Sequence, residues 1–272
     1  MNFLDFLTVP LFQKAFLGCF LSGAGLSLLG LVVINLQLTT VRFALMHVAL
    51  LGAAVAMLLR IPPLFGALAG IVIASLLLGP AGDFIKIDTG VTGAVFMTGS
   101  LGLAFLLFHR ADIRAMDAFA LFTGSVLALE DGDLWAIGIL TVVIWTVFIV
   151  FYREIQMVLY NPQLAESLGV PVRRIRDGLL LLSGLAIGIS MRLVGALLVD
   201  AAILLPAIAA LALSRSLRGA LFLAAGFGVL SQIGGLTASM FWDIPSGAAI
   251  TLTAVAVLVL ANLGRRLTAR KG

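Results

Sequence analysis

AFLGCFLSGAGLSLLGLVVINL, residues 15–36, carries no charged side chain from end to end. A helix needs about 20 consecutive apolar residues to cross the hydrocarbon core of a bilayer, so this stretch alone reads as a transmembrane span. Similar runs follow at 43–59, broken only by His47, at 64–78 and at 91–108. Residues 118–129 are apolar but short. Residues 134–152 are long enough, and 178–199 qualifies with Arg192 inside it. After Asp200 the apolar character continues over 201–213, and 219–242 and 244–264 complete the set. The composition agrees with the runs. Of 272 residues 62% are hydrophobic and 11% charged, and the mean hydropathy is +1.19. Soluble domains lie near one half apolar and one quarter charged, and a soluble fold of this size has nowhere to hide the excess. The expected fold is an all-α integral membrane protein. It is a polytopic bundle over residues 1–272 as one transmembrane domain, with about eight to ten transmembrane helices, some of them short or re-entrant.

Charge sets the topology. Arg153, Arg173, Arg174 and Arg176 flank the longest polar stretch, and Arg265, Arg266, Arg270 and Lys271 form the tail. Clusters of this kind can bind nucleic acid. In a chain this apolar they read as the positive-inside rule, which places both in the cytoplasm and leaves no nucleic-acid partner. Four apolar runs separate them, an even number, as two cytoplasmic ends require. Counting backwards, the acidic turn Glu130, Asp131 and Asp133 falls outside, 109–114 inside, 83–88 outside, Arg60 inside, Val41 and Arg42 outside, and Lys14 with the N-terminus inside. Ten crossings result, two of them short. If the short runs are re-entrant half-helices, eight remain, because non-helical backbone at membrane depth is tolerated only within protein or along a cavity. The start, MNFLDFLTVPLFQK, is acidic before it is basic and shows no cleavable signal. Glycine and alanine crowd the spans near residues 18–30, 52–56, 66–70 and 226–235, where they let helix backbones approach closely.

Several chemistries leave no trace. The chain has no GxxxxGK[ST] phosphate loop, no HExxH, no GxSxG and no CxxC. The single cysteine, Cys19, stands in an apolar run and reads as packing. Nothing argues for an enzyme.

The longest polar segment between spans is YREIQMVLYNPQLAESLGVPVRRIRDG, residues 152–178. Pro162 suits a first helical turn after Asn161 as cap. Gly169 suits the helix end, with Pro171 just beyond. Residues 163–168 therefore read as a short helix lying across a membrane face, against the alternative of an ordinary polar connector.

The run NPQLAESLGVPVRRIRDGLLLL resembles the coupling-helix region of the metal-type ABC transporter permeases, the ABC-3 family of zinc, manganese and iron importers. Other segments match in order: MHVALLGAAVA, FALFTGSVLAL followed by an acidic turn and DLW, RLVGALLVDAAILLPAIAALAL, and FWDIPSGAAI. The resemblance runs from about residue 11 to about residue 260. It implies a permease in the bacterial cytoplasmic (inner) membrane, paired with a second permease copy as homodimer or heterodimer. Each copy would dock a cytoplasmic ATPase through the short helix of a cytoplasmic coupling segment at about 153–177, with Asn161, Pro162, Leu164, Leu168 and Gly169 as coupling residues. An extracytoplasmic metal-binding protein would deliver the cargo. ATP hydrolysis would belong to the partner, and no cofactor would be held permanently, only the transported divalent metal.

Ionisable residues within a membrane are costly and default to functional candidates. His47, Asp200 and Asp243 lie toward the outer face in the topology above, and a histidine with carboxylates suits zinc or manganese. The family resembled here usually has an Asp one turn before the histidine. This chain has Phe43 there, Met46 where Ser is common, Leu51 where Pro is common, and Asp200 where a small residue is usual. The carboxylate has then either moved to a neighbouring helix, or the permease carries a different cargo. His47 can equally be hydrogen-bonded packing, Asp200 can pair with Arg192, and Asp243 can cap the helix after it. Three functions compete with metal import: the same architecture carrying a non-metal or metal-chelate cargo, a secondary carrier without an ATPase, and an intramembrane enzyme, for which no paired catalytic groups are found. An ATPase and a solute-binding protein encoded beside this chain would separate import from the last two.

Overall fold

The computed structural model describes residues 9–85, 89–110 and 129–269. Eleven helices order these residues: α1 (Pro10–Asn35), α2 (Thr39–Leu58), α3 (Pro63–Ile85), α4 (Thr89–Arg110), α5 (Asp131–Val150), α6 (Tyr152–Tyr160), α7 (Pro162–Ser167), α8 (Val172–Val194), α9 (Ala196–Leu213), α10 (Leu217–Trp242) and α11 (Ser246–Ala269). Six of them, α1, α2, α4, α5, α10 and α11, are long and apolar enough to cross a membrane. Pro63–Leu78 and Leu198–Leu213 are shorter apolar stretches. The run at 118–129 lies outside the described residues.

The chain divides into two compact units. One holds most of α1 with α5 and α9–α11; the other holds the end of α1 with α2–α4 and α6–α8. In the first unit α1 is the axis, and its glycines are the reason. Gly23 lies against the backbone of Gly228 in α10, and Gly25 against Thr141 in α5. At Gly30 a Cβ would run into the carbonyl oxygen of Ile203 in α9. Side-chain donors from α5 reach α1 carbonyls: Thr141 Oγ1 donates to Leu21 at 2.9 Å, and Trp145 Nε1 to Ala24 at 3.2 Å. Lys14 pairs with Asp131 at 2.6 Å across the helix ends. In the second unit α2 packs on α3 and α4. Gly52 and Gly66 bring the α2 and α3 backbones together, and Gly184 and Gly188 of α8 seat Ile71 of α3. Leu50, Ala54, Ala104 and Phe108 form a small core between α2 and α4.

Two connectors differ from the expectation. Charge alone puts the first at Val41 and Arg42. The chain instead turns at Gln37, with φ of 54°, and Arg42 lies in the first turn of α2 with only 2% of its surface exposed. Its guanidinium stacks 4.5 Å over the Phe43 ring, which offsets part of the cost of burial. The second is expected at Asp200. The break is at Gly195, with φ of 86°, and Asp200 continues α9 without interruption. A carboxylate does not stop a helix; a residue held at φ near +86° does, and glycine adopts it without Cβ strain.

Candidate functional site

His47 stands on α2, half-buried, with Nδ1 2.7 Å from the carbonyl oxygen of Phe43 one turn earlier. A carbonyl only accepts, so Nδ1 carries the proton and donates, and the ring lone pair is on Nε2. Histidines that bind metals are held this way, one ring nitrogen on a backbone carbonyl or carboxylate and the other toward the ion. Met46 beside it is buried, and Phe43 is half-exposed. Two of the departures read from the sequence, Phe43 and Met46, therefore sit in the turn of α2 that leads into His47.

Asp200 lies half-buried in α9, five residues after the Gly195 break. Arg192, its alternative partner, has a side chain outside the described residues. Asp243 is exposed and serves the backbone: at φ 50° and ψ 44° it closes α10 in the left-handed conformation, its N–H bonded to the Ser239 carbonyl. Ser239 Oγ donates in turn to the Ile244 carbonyl at 2.6 Å. Asp243 thus ends the helix before it, instead of capping the helix after it. Among the described residues no group of three or more His, Cys, Asp and Glu side chains comes together to hold a metal ion. A cavity of about 600 Å³ between α2, α3 and α4 is lined almost wholly by apolar groups, among them Val55, Phe65 and Phe96, and offers no ligand for a cation.

The short helix at 163–168 appears within one residue of its expected place, and both ends are capped as the sequence implies. Asn161 Oδ1 accepts from the Leu164 N–H at 3.0 Å, and Pro162 occupies the first turn. At the far end Val170 N–H reaches Ala165 and Gly169 N–H reaches Glu166, both at 3.0 Å, with Gly169 at φ 83°. That pair of bonds is a Schellman closure. Ala165 is buried, whereas Leu164 and Leu168, four apart and on one side, are 55% and 65% exposed. The preceding helix α6 anchors this segment by burying Ile155, Val158 and Leu159. α7 is therefore a rigid knob with an exposed apolar face.

Sequence reasoning passed over one polar contact. Ser22 of α1 and Gln232 of α10 are almost fully buried and meet at 3.0 Å. A glutamine within an apolar run was the only sign available, and 210 positions separate it from Ser22.

Comparison with known proteins gives this geometry its context. The manganese transport system membrane protein MntC of Halalkalibacterium halodurans is 29% identical over 245 residues, covering 90% of this chain and 80% of that protein. The high-affinity zinc uptake system membrane protein ZnuB of Haemophilus influenzae is 29% identical over 255 residues, covering 90% and 95%. The solved structure of PsaBC from Streptococcus pneumoniae in complex with Fab shares the fold, with a TM-score of 0.83 over 95% of this chain and 94% of that one at 23% identity. The family model of the ABC 3 transport family spans residues 8–265, taking in the α1 axis, His47, the capped α7 and the Gly195 break alike, and the chain is a multi-pass membrane member of that family.

Proposed function

We propose that this chain is the permease subunit of an ATP-driven importer of divalent metal ions, zinc or manganese. It works in the bacterial cytoplasmic membrane as one of a permease pair, all of residues 1–272 acting as one permease domain. The observation that carries the reading is α7: a helix capped at both ends, presenting Leu164 and Leu168 to solvent, inside a chain that matches the family from residue 8 to residue 265. It suits the docking of a separate cytoplasmic ATPase, which supplies the hydrolysis. An extracytoplasmic binding protein supplies the ion. His47, Asp200 and Asp243 are the candidate ligands for the ion in transit. A neutral imidazole and carboxylates suit a borderline divalent ion better than a sugar or an amino acid. A secondary carrier needs a coupling-ion site of its own and has no use for the α7 knob.

The test is metal accumulation measured beside detergent stability. His47→Ala and Asp200→Asn should each stop uptake with the complex assembled, and the double variant should be no worse than either. If Asp200 is instead the structural partner of Arg192, Asp200→Asn destabilises the protein and His47→Ala accumulates metal normally, which removes the ion contact from the proposal.

A further inference from the structure

We infer that the start of α1 lies outside, clasped to the acidic start of α5, so that the chain passes the membrane an odd number of times between Lys14 and its basic tail. Charge order in the sequence puts Lys14 in the cytoplasm with that tail. The helix directions within the first unit do not allow it. The inference needs only that the chain crosses a membrane, and it stands whatever the cargo.

Contacts at two heights fix the direction of a neighbouring helix, and α1 and α5 run parallel. Near their starts Lys14 meets Asp131 at 2.6 Å. Further along, the Leu21 carbonyl accepts from Thr141 and the Ala24 carbonyl from Trp145. Moving up α1 therefore moves up α5. The two sides of a bilayer core are about 30 Å apart, and an ion pair cannot join them. α10 runs the other way: Ser22 of α1 meets Gln232, while Ser27 packs against Gly228. Trp145 agrees, since its ring lies 5.9 Å from that of Phe222 in the early part of α10. After Asp243 the chain folds back, and α11 sets Ile250 against Gly235 and Thr253 against Gly234. The starts of α1, α5 and α11 thus share one end of the unit with the end of α10. The start of α10 and the end of α11 share the other.

The charges sort by these ends. Glu130, Asp131, Asp133 and Asp243 stand at the first, with Lys14 as its basic residue. Arg215 and Arg218 at the start of α10 and Arg265 and Arg266 at the end of α11 stand at the second, all exposed. Lysine and arginine beside spans mark the cytoplasmic side. The four arginines outweigh a single lysine, so the second end is cytoplasmic and the first is outside. Lys14 misleads in the sequence because its partner is more than a hundred positions away. With Lys14 outside and Arg265 inside, neither even count drawn from charge alone survives, and the odd count between them fits. For an importer, the carboxylate end of this unit then faces the supply of cations.

The experiment labels single cysteines in the full chain with an impermeant maleimide, first in intact cells and then after the membrane is opened. Gln13→Cys, exposed one residue before Lys14, should label in intact cells as fully as Gly132→Cys. Arg266→Cys should give no labelling until the membrane is opened. Val9→Cys, also exposed, replaces Gln13→Cys if that variant does not accumulate. Lys14→Cys combined with Asp131→Cys should be joined within one chain by a short bifunctional maleimide, and neither single variant should be. Labelling of residues 13 and 266 from the same side overturns the inference, as does their labelling from the opposite sides to those expected. A double variant that labels at both cysteines but never cross-links overturns the clasp.

Discussion

Ser22 shows how much one hydrogen decides. Its hydroxyl lies 2.7 Å from the Gly18 carbonyl and 3.0 Å from the Gln232 amide. The hydroxyl donates to Gln232 Oε1 or, within its own helix, to the Gly18 carbonyl, and both of those oxygens only accept. The pair then ties α1 to α10 inside an apolar bundle. Removing the serine leaves the amide buried with nothing to bond, whereas replacing the amide by an apolar group of similar length leaves no orphan, because Ser22 keeps Gly18. Ser22→Ala should therefore lower stability by about 1 kcal/mol, and Gln232→Met by clearly less. Thermal unfolding in detergent reads the difference, and an equal or reversed order would refute the assignment. Single residues are unevenly legible in the sequence. His47 stands out as the one histidine inside an apolar run. Arg42 reads as a loop residue, because nothing in a sequence shows that a neighbouring ring covers it. Ser22 and Gln232 cannot be paired at all, since only the fold brings them together.

The element most open to test is α7. Its position is readable because Asn161, Pro162 and Gly169 each do one thing well, accepting a capping bond, starting a helix and ending one. The Gly195 break is hidden for the opposite reason: the neighbouring charge draws the boundary, and glycine is too common in these spans to mark a turn by itself. Leu164 and Leu168 are exposed, so replacing them tests docking with little effect on folding. Leu164→Asp with Leu168→Asp should abolish co-purification of the ATPase while the permease still inserts. Burying a leucine side chain in an interface stabilises it by on the order of 1.5–3 kcal/mol, and a carboxylate forced into the same place adds its own desolvation cost. Normal recovery of the ATPase with this variant would move the docking surface elsewhere.

For the molecule as a whole, the class of fold follows from hydropathy and the sidedness from charge, and sidedness is the more fragile of the two. The protein carries its own control. Its one cysteine, Cys19, is buried, so an impermeant maleimide has no native target. Gly132, where an added side chain meets open space, falls outside in the expected topology, and Glu166 of α7 falls in the cytoplasm. Gly132→Cys should be labelled in intact cells, and Glu166→Cys only after the membrane is opened. The reverse pattern would invert the chain and take the cytoplasmic reading of α7 with it. The number of crossings is less legible, because α3 and α9 are short in apolar length and the order of their charges fits either count. One feature of the packing also sets how this sequence can change. Where Gly52 meets Gly66, Gly23 meets Gly228 and Gly30 meets Ile203, what touches is main chain, and main chain is the same in every amino acid. Those positions demand no particular chemistry, only emptiness. In a library of random codons they should tolerate almost no replacement, with alanine failing nearly as surely as tryptophan. Exposed neighbours such as Ile139 and Leu252 should accept any apolar residue, so a map of tolerance alone would trace the seams.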